Sequence, residues 1–365
     1  MNRSIYRPLN ARLRPHIVSA GNRRYYRRKR RPQILKVTAG TYWLPTTGLK
    51  RWEQRTSASI ARCVGALHAC PTAKCLTHLS AALVLGLPVW ETEPATSVAV
   101  TSNPRLKTQR LPAFRFSNRG DVQAAFPGSS GVSDAVLIRR RLKVNEREII
   151  QVDSFPVTDA IRTAFDCACD EAPHVALAVA DAALVLLCKP DRWHPENCAR
   201  RVQVVRAEWE RLLAANAGRR GIRQARAVLR AASPWVDSPA ESVLRWVVLA
   251  IGLPEPVLQF PLQAGGRERF VDLCWPEWGI ALEFDGRIKY LVGDAVVYEK
   301  LRQDEIAAQG FEFLRVLAED FHEVRTLVQR ILRMFPPEVV VRARANVDIA
   351  PHGLWGPAPE DAVVT

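Results

Sequence analysis

Arg269-Phe270-Val271-Asp272-Leu273-Cys274-Trp275-Pro276-Glu277-Trp278-Gly279-Ile280-Ala281-Leu282-Glu283-Phe284-Asp285-Gly286 contains two apolar runs broken by carboxylates and joined by a Pro-Glu-Trp-Gly loop. Each run suits a β-strand, Phe270 to Trp275 and Gly279 to Asp285, and the four-residue loop suits a hairpin. If Trp275 pairs with Ile280, Asp272 falls opposite Glu283 and Phe270 opposite Asp285. Side chains alternate along a strand, so Asp272, Glu283 and Asp285 then share one face. Directly opposed residues stand about 4.5–5.5 Å apart at Cβ. Two like charges at that distance repel by roughly 3 kcal/mol at an effective dielectric of 20. A hard divalent cation such as Mg²⁺ or Mn²⁺ removes the repulsion, because it takes carboxylate oxygens as ligands, and it activates water for attack on a phosphodiester. The alternative is that Asp272 and Asp285 serve loops or pair with Arg269, Arg287 or Lys289. A one-residue slip would put the acids on opposite faces.

Working outward, Ser238 to Ile251 reads as a helix, with Ser238 as N-cap, Pro239 in the first turn and Gly252 as terminator. Val257 to Gln263 is a strand, Ala264 to Arg267 a turn, Val296 to Gln309 a helix, Phe311 to Leu317 a strand and Asp320 to Met334 a closing helix. The order is αβββαβα. Glu241 completes a capping-box pattern in Ser238-Pro239-Ala240-Glu241, which explains it locally, yet a carboxylate on that helix can also aim at a metal. Lys289 and Lys300 are candidates for a cation that orients water. The candidate catalytic set is therefore Asp272, Glu283, Asp285, Glu241, Lys289 and Lys300, with Asp272, Glu283 and Asp285 as metal ligands.

The chain has 365 residues, 48% hydrophobic and 24% charged, and a formal charge of +15. The charge is uneven. Residues 1–31 hold 11 Arg and Lys and no acid, whereas residues 233–335 hold 11 basic against 16 acidic side chains. Residues 1–33 read as a basic, disordered arm that would hold DNA backbone electrostatically, and residues 336–365 as a disordered tail. No run reaches the ~18 apolar residues of a membrane span, and no apolar segment follows the basic N-terminus as in a secretory signal. Eight cysteines without a CxxC spacing read as buried reduced thiols, which suits the cytoplasm. There is no GxGxxG, Walker A, HExxH or GxSxG pattern. His78, at the start of an apolar helix, reads as structural.

Residues 34–232 read as a separate α+β domain. Ile34 to Leu44 gives two short strands around a Gly turn. Ser57–Cys70, Thr77–Leu87, Thr158–Cys169 and Val175–Leu187 are helices. Glu208–Ala231 is a long helical stretch interrupted near Gly218 and Gly221. The arginines of that stretch, among them Arg211, Arg219, Arg223 and Arg230, suit either a phosphate-contacting face or a solvated helix.

The combination of Ser238-Pro239-Ala240-Glu241-Ser242, Arg269-Phe270-Val271-Asp272-Leu273, Leu282-Glu283-Phe284-Asp285-Gly286, Glu299-Lys300-Leu301-Arg302-Gln303-Asp304 and Gly310-Phe311 resembles the PD-(D/E)XK, restriction-endonuclease-like superfamily. It looks most like the small domains related to very-short-patch-repair endonucleases. The resemblance covers about residues 236–335. It implies metal binding by Asp272 and Glu283 with Glu241 assisting. The superfamily's lysine, two residues beyond Glu283, is here Asp285, and Lys289 or Lys300 would substitute. Thr38-Ala39-Gly40-Thr41-Tyr42, Thr77-His78-Leu79-Ser80-Ala81-Ala82, Gly86-Leu87-Pro88-Val89-Trp90, Pro156-Val157-Thr158 and Thr163-Ala164-Phe165-Asp166 are similar to AbiEi-type antitoxin-like proteins of bacterial type IV toxin–antitoxin systems. That resemblance implies a toxin partner. The expectation is an α/β protein of the bacterial cytoplasm that associates with DNA and carries a Mg²⁺-dependent endonuclease-like domain at 233–335. The alternative is a non-catalytic, antitoxin-like regulator that keeps the nuclease fold as a scaffold.

Overall fold

In a computed structural model, residues 6, 8–19, 34–118, 121–126, 128–129, 132–264, 267–285 and 309–350 are described. Helices and mixed sheets give an α/β fold. The chain divides into two compact units, the first running to Cys167 and the second beginning at Ala168.

The first unit contains β1 (His16–Ser19), β2 (Leu35–Thr38), β3 (Thr41–Leu44), α1 (Arg51–Ala69), β4 (Ala73–Leu76), α2 (His78–Val84), β5 (Thr96–Val100), β6 (Thr108–Arg110), β7 (Ala113–Phe116), β8 (Val122–Ala125), β9 (Val136–Arg141), β10 (Ile149–Val152), β11 (Phe155–Thr158) and most of α3 (Ala160–Asp170). β1, β3 and β2 make an antiparallel sheet, and β10-β11-β4-β5-β9-β6 a mixed one. Trp43, Phe114, Ala58 and Ala61 are fully buried where α1 meets the small sheet. α1 also buries two arginines. Arg62 is held by Glu93 at 2.9 Å and lies over the Phe114 ring at 4.8 Å, so its charge is paired and its flat face is packed.

The expectation of a disordered basic arm is corrected here. His16–Ser19 pairs residue for residue with Thr41–Leu44. Leu9 is buried, and its N–H donates to Asp153, which also binds Arg14 at 2.6 Å. Ile17 and Val18 supply the apolar contacts that the arginine-rich flanks concealed. Residues 20–33 lie outside the described residues.

The second unit contains the end of α3, then α4 (Pro173–Cys188), α5 (Glu196–Ala215), α6 (Ile222–Ala231), α7 (Pro239–Ala250), β12 (Val257–Ala264), β13 (Arg267–Trp275), β14 (Ile280–Asp285), β15 (Glu312–Leu317), α8 (Val324–Met334) and α9 (Pro337–Arg342). The sheet order is β12-β13-β14-β15, antiparallel except for the parallel β14–β15 pair. The expected helix at 296–309 lies outside the described residues. The expected division at 233 is not where the chain separates. α4 packs along α7, and a buried ion pair, Arg245 to Asp181 at 2.6 Å, joins them. α4 to α6 therefore belong with the four-stranded sheet. The long helical stretch is broken as the glycines suggest. Gly221 has φ +79, and a Cβ there would stand 2.0 Å from the Cys169 carbonyl oxygen.

The tail expected to be disordered from 336 instead forms α9 and folds back. Asn346 N–H donates to the Ala250 carbonyl, and the Trp246 indole N–H donates to the Ile349 carbonyl at 2.9 Å. Gly252, which ends α7 with φ +80, leaves room for this return: a Cβ there would lie 1.9 Å from the Arg344 carbonyl oxygen. Gly252→Ala combines a left-handed backbone with that backbone clash. It is expected to lower stability by about 2 kcal/mol or more, read from the urea midpoint. No helix among the described residues is long and apolar enough to cross a membrane. All eight cysteines are buried as thiols.

Candidate active site

The hairpin closes as its loop dictates. Pro276–Trp278 makes a 3₁₀ turn, Gly279 takes φ +60, and Trp275 pairs with Ile280, Cys274 with Ala281 and Leu273 with Leu282. Continuing this register sets Asp272 beside Glu283. There the backbone ladder gives way to a side-chain contact, with the Phe284 N–H donating to Asp272 Oδ2 at 2.9 Å.

Two further strands extend the row. Leu258 pairs with Leu273 and Phe260 with Val271, so Gln259 lies opposite Asp272. On the other side Glu283 pairs with Arg315. Gln259, Asp272, Glu283 and Arg315 thus stand abreast across all four strands. Gln259 has φ +51, a left-handed conformation unusual for a strand residue that is not glycine, and it is buried. Strained backbone of this kind persists where surrounding structure holds it, and it gathers at functional sites.

Glu241 reaches the row from the first turn of α7. Its N–H donates to Ser238 Oγ, the N-cap, and its carboxylate accepts from the Ser238 hydroxyl at 2.8 Å and the Asp237 N–H at 2.9 Å. Gln259 Nε2 also donates to it, at 3.4 Å. One carboxylate thus both caps α7 and accepts from Gln259, the residue opposite Asp272.

Electrostatics bind the acids together. Burial pushes the Asp272 carboxyl well above its ordinary range, the charges of Glu241 and Glu283 push it further, and the Phe284 N–H opposes them. Glu241 is raised by burial, with the Asp237 N–H and Ser238 hydroxyl pulling it back. Glu283 is buried. Two mutually repelling, water-poor carboxylates with a third beside them make a site that gains from a cation.

Asp285, expected as a third ligand, is engaged by Arg315 at 3.1 Å. The position where the resemblance expects a lysine therefore holds half of an ion pair. Lys289 and Lys300 lie outside the described residues. Arg315 and Gln259 were missed in the sequence. Each is a polar residue interrupting an apolar strand, in Phe313-Leu314-Arg315-Val316 and Leu258-Gln259-Phe260, but their alignment with the acids depends on strand pairings that are not local. Among the described residues, no group of three His, Cys, Asp or Glu side chains stands ready to hold a metal ion. Two carboxylates are still an ordinary protein share for Mg²⁺, which keeps several waters and takes its other oxygens from phosphate. The hard oxygen donors of Asp272 and Glu283 fit that ion.

The arginines of α5, α6 and the turn between them are partly committed to internal pairs. Arg211 binds Glu208, Arg219 binds Asp170 and Arg230 approaches Glu210. His78 is fully buried in the first unit, beside the Thr77 hydroxyl at 3.1 Å, as its apolar surroundings suggest.

Comparison with known proteins adds relatives without assigned roles. Two proteins of Mycobacterium tuberculosis, Uncharacterized protein MT2308 and Uncharacterized protein Rv2248, are each 33% identical to this chain over 161 residues, which make up 43% of this chain and 54% of theirs. The chain spans about half the length of the curated relatives it matches. No protein-family model matches it, and no solved structure does.

Proposed function

We propose that the second unit is a divalent-cation-dependent phosphodiesterase acting on DNA, an endonuclease of the PD-(D/E)XK kind, within a cytoplasmic protein. The observation that carries this reading is the cross-strand row Gln259, Asp272, Glu283 and Arg315 with Glu241 above it. Asp272 and Glu283 would hold Mg²⁺ or Mn²⁺. The bound ion would supply Lewis acidity toward a phosphate oxygen and a more acidic water. Glu241, fixed by Ser238 and Asp237, accepts from Gln259 and would add negative field at a bound ion. Arg315 brings positive charge toward the phosphate side of the row while restraining Asp285. The basic N-terminal segment and the first unit would contribute phosphate contacts, which give affinity without sequence information. Eight buried thiols are consistent with a reducing compartment.

The test is nicking of supercoiled plasmid by the purified full-length protein with Mg²⁺, Mn²⁺ or EDTA. Metal-dependent nicking supports the reading, and its absence with both ions sinks it. Metal binding itself has a pH signature. The ion competes with the proton on Asp272, whose affinity for protons is raised by burial and its neighbours. The rise in Tm caused by Mn²⁺ is therefore expected to fade on acidification at a higher pH than it would for ordinary carboxylates of pKa about 4. A rise that fades only in the ordinary carboxylate range would remove Asp272 from the metal site.

One observation favours a second reading. The lysine position is occupied by Asp285 in an ion pair with Arg315, which is compatible with a retired nuclease fold serving as the scaffold of an antitoxin-like regulator with a toxin partner. That reading expects neither nicking nor a metal-dependent shift in Tm.

A further inference from the structure

The loop between α4 and α5 places an aromatic side chain where burial does not explain it. Trp193 is 66% exposed. Its ring meets Phe270 nearly at right angles, with centroids 5.5 Å apart. The guanidinium of Arg192 lies over the same Phe270 ring at 5.2 Å and forms an ion pair with Asp237. Phe270 is two residues before Asp272 on β13, so both side chains leave the same face of the strand. Asp237 in turn donates its N–H to Glu241. A chain of direct contacts therefore runs from an exposed indole to the carboxylate row.

A single exposed Trp is ordinary on a protein surface; what sets Trp193 apart is its seat against Phe270, on the strand that carries Asp272. The carboxylates Glu241, Asp272 and Glu283 beside it repel a phosphate backbone, so a nucleic acid strand at this place gains from an attachment that is indifferent to charge. Stacking of a nucleobase on indole is such an attachment, and a guanidinium beside the ring adds a flat cationic partner. A base can reach the indole face only when it is out of a duplex.

We infer that Trp193, Arg192 and Phe270 form a stacking platform for an unpaired nucleobase, which holds a single strand next to the Asp272–Glu283 row. This deepens the phosphodiesterase reading by making single-stranded nucleic acid, or a strand with an unpaired base, its substrate class. The binding half is measurable without any cutting.

The experiment is fluorescence anisotropy in EDTA with labelled 12-mer single-stranded DNA, single-stranded RNA of the same sequence and the corresponding DNA duplex. The proteins are the full-length wild type, Trp193→Ala, Trp193→Phe and Glu283→Gln. Trp193→Ala is expected to weaken single-strand binding about tenfold, and Trp193→Phe clearly less, while duplex binding changes little. The DNA and RNA arms decide which strand carries the base. Equal affinity of wild type and Trp193→Ala for both strands overturns the platform, and so does an equal loss on the duplex. Dissociation of a dimer by Trp193→Ala in sedimentation, with strand binding unchanged, overturns it in favour of a subunit contact. If wild type fails to cut with Mg²⁺ or Mn²⁺ while Trp193→Ala still loses single-strand affinity, the phosphodiesterase reading falls and the platform stands. Glu283→Gln should bind strands at least as well as wild type in EDTA, and a tenfold loss there would place the strand on the acids rather than on Trp193.

Discussion

Asp181→Ala is expected to cost the second unit about 3–5 kcal/mol, the largest loss of stability anticipated for a single exchange. Asp181 is almost fully buried on α4 and accepts four hydrogen bonds. Arg245 Nη2 donates to both oxygens at 2.6 and 2.7 Å, the Ser242 hydroxyl donates at 2.8 Å, and the Ser233 N–H at 2.7 Å. All three partner residues are donors and favour the charged form, against a burial that raises the carboxyl above its ordinary range. Removing it leaves the Arg245 guanidinium, which has no exposed surface, with the Ala231 carbonyl and no counter-charge. The penalty is that of a buried lone charge rather than of a lost contact. Asp181→Leu combined with Arg245→Met should recover most of the loss, because an apolar pair of similar volume avoids both desolvation costs. The measurement is urea denaturation of wild type, both single variants and the double. A loss below about 1 kcal/mol for Asp181→Ala would mean that α4 and α7 are not joined through this pair.

Asp272→Asn is expected to act in opposite directions on stability and on catalysis. Without metal, the ionised carboxylate stands in a buried position beside Glu241 and Glu283, and both raise its proton affinity. Asparagine removes the charge and keeps an oxygen that accepts the Phe284 N–H. The apo variant should therefore be more stable at pH 8 by about 1–2 kcal/mol, a gain of the size found when functional strain is relieved. The sign follows from the raised carboxyl: its ionised form opposes folding above the raised pKa, and the gain fades as pH falls and wild-type Asp272 takes up a proton. Plasmid nicking should fall roughly a thousandfold, since a neutral amide is a poor ligand for a hard cation. Stabilisation without loss of nicking would remove Asp272 from the reaction, and destabilisation would make it a structural anchor.

The hairpin was readable because its loop and its alternating apolar residues fix the register locally. Once Trp275 opposes Ile280, the placing of Asp272 beside Glu283 follows by counting. Glu241 was readable as a cap for the same reason, since its partners lie within four residues. What could not be read depends on distant segments. Arg315 joins the row through a parallel pairing across residues 286–308, and Asp181 meets Arg245 64 residues away. That second contact is why α4 to α6 belong with the four-stranded sheet, although the composition changes near 233. The strand at His16–Ser19 was hidden by its brevity. Two apolar residues, Ile17 and Val18, sit in a segment whose charge dominates any window, and only the matching edge at Thr41–Leu44 reveals them. Lys289 and Lys300 stay sequence-level candidates.

The return of residues 346–349 to α7 sets a schedule for synthesis. Trp246 waits for a carbonyl 103 residues further along the chain. At about 5–20 residues per second, that is a delay of roughly 5–20 s after the helix itself has been made. The elements of the first unit, by contrast, are almost all translated by Cys167. During the delay, α7 carries an uncovered apolar side, the kind of surface that folding helpers bind and that incomplete chains display. A ribosome that stalls after the acids but before Ile349 would thus release a chain with its carboxylates present and the packing of the helix that bears Glu241 unfinished.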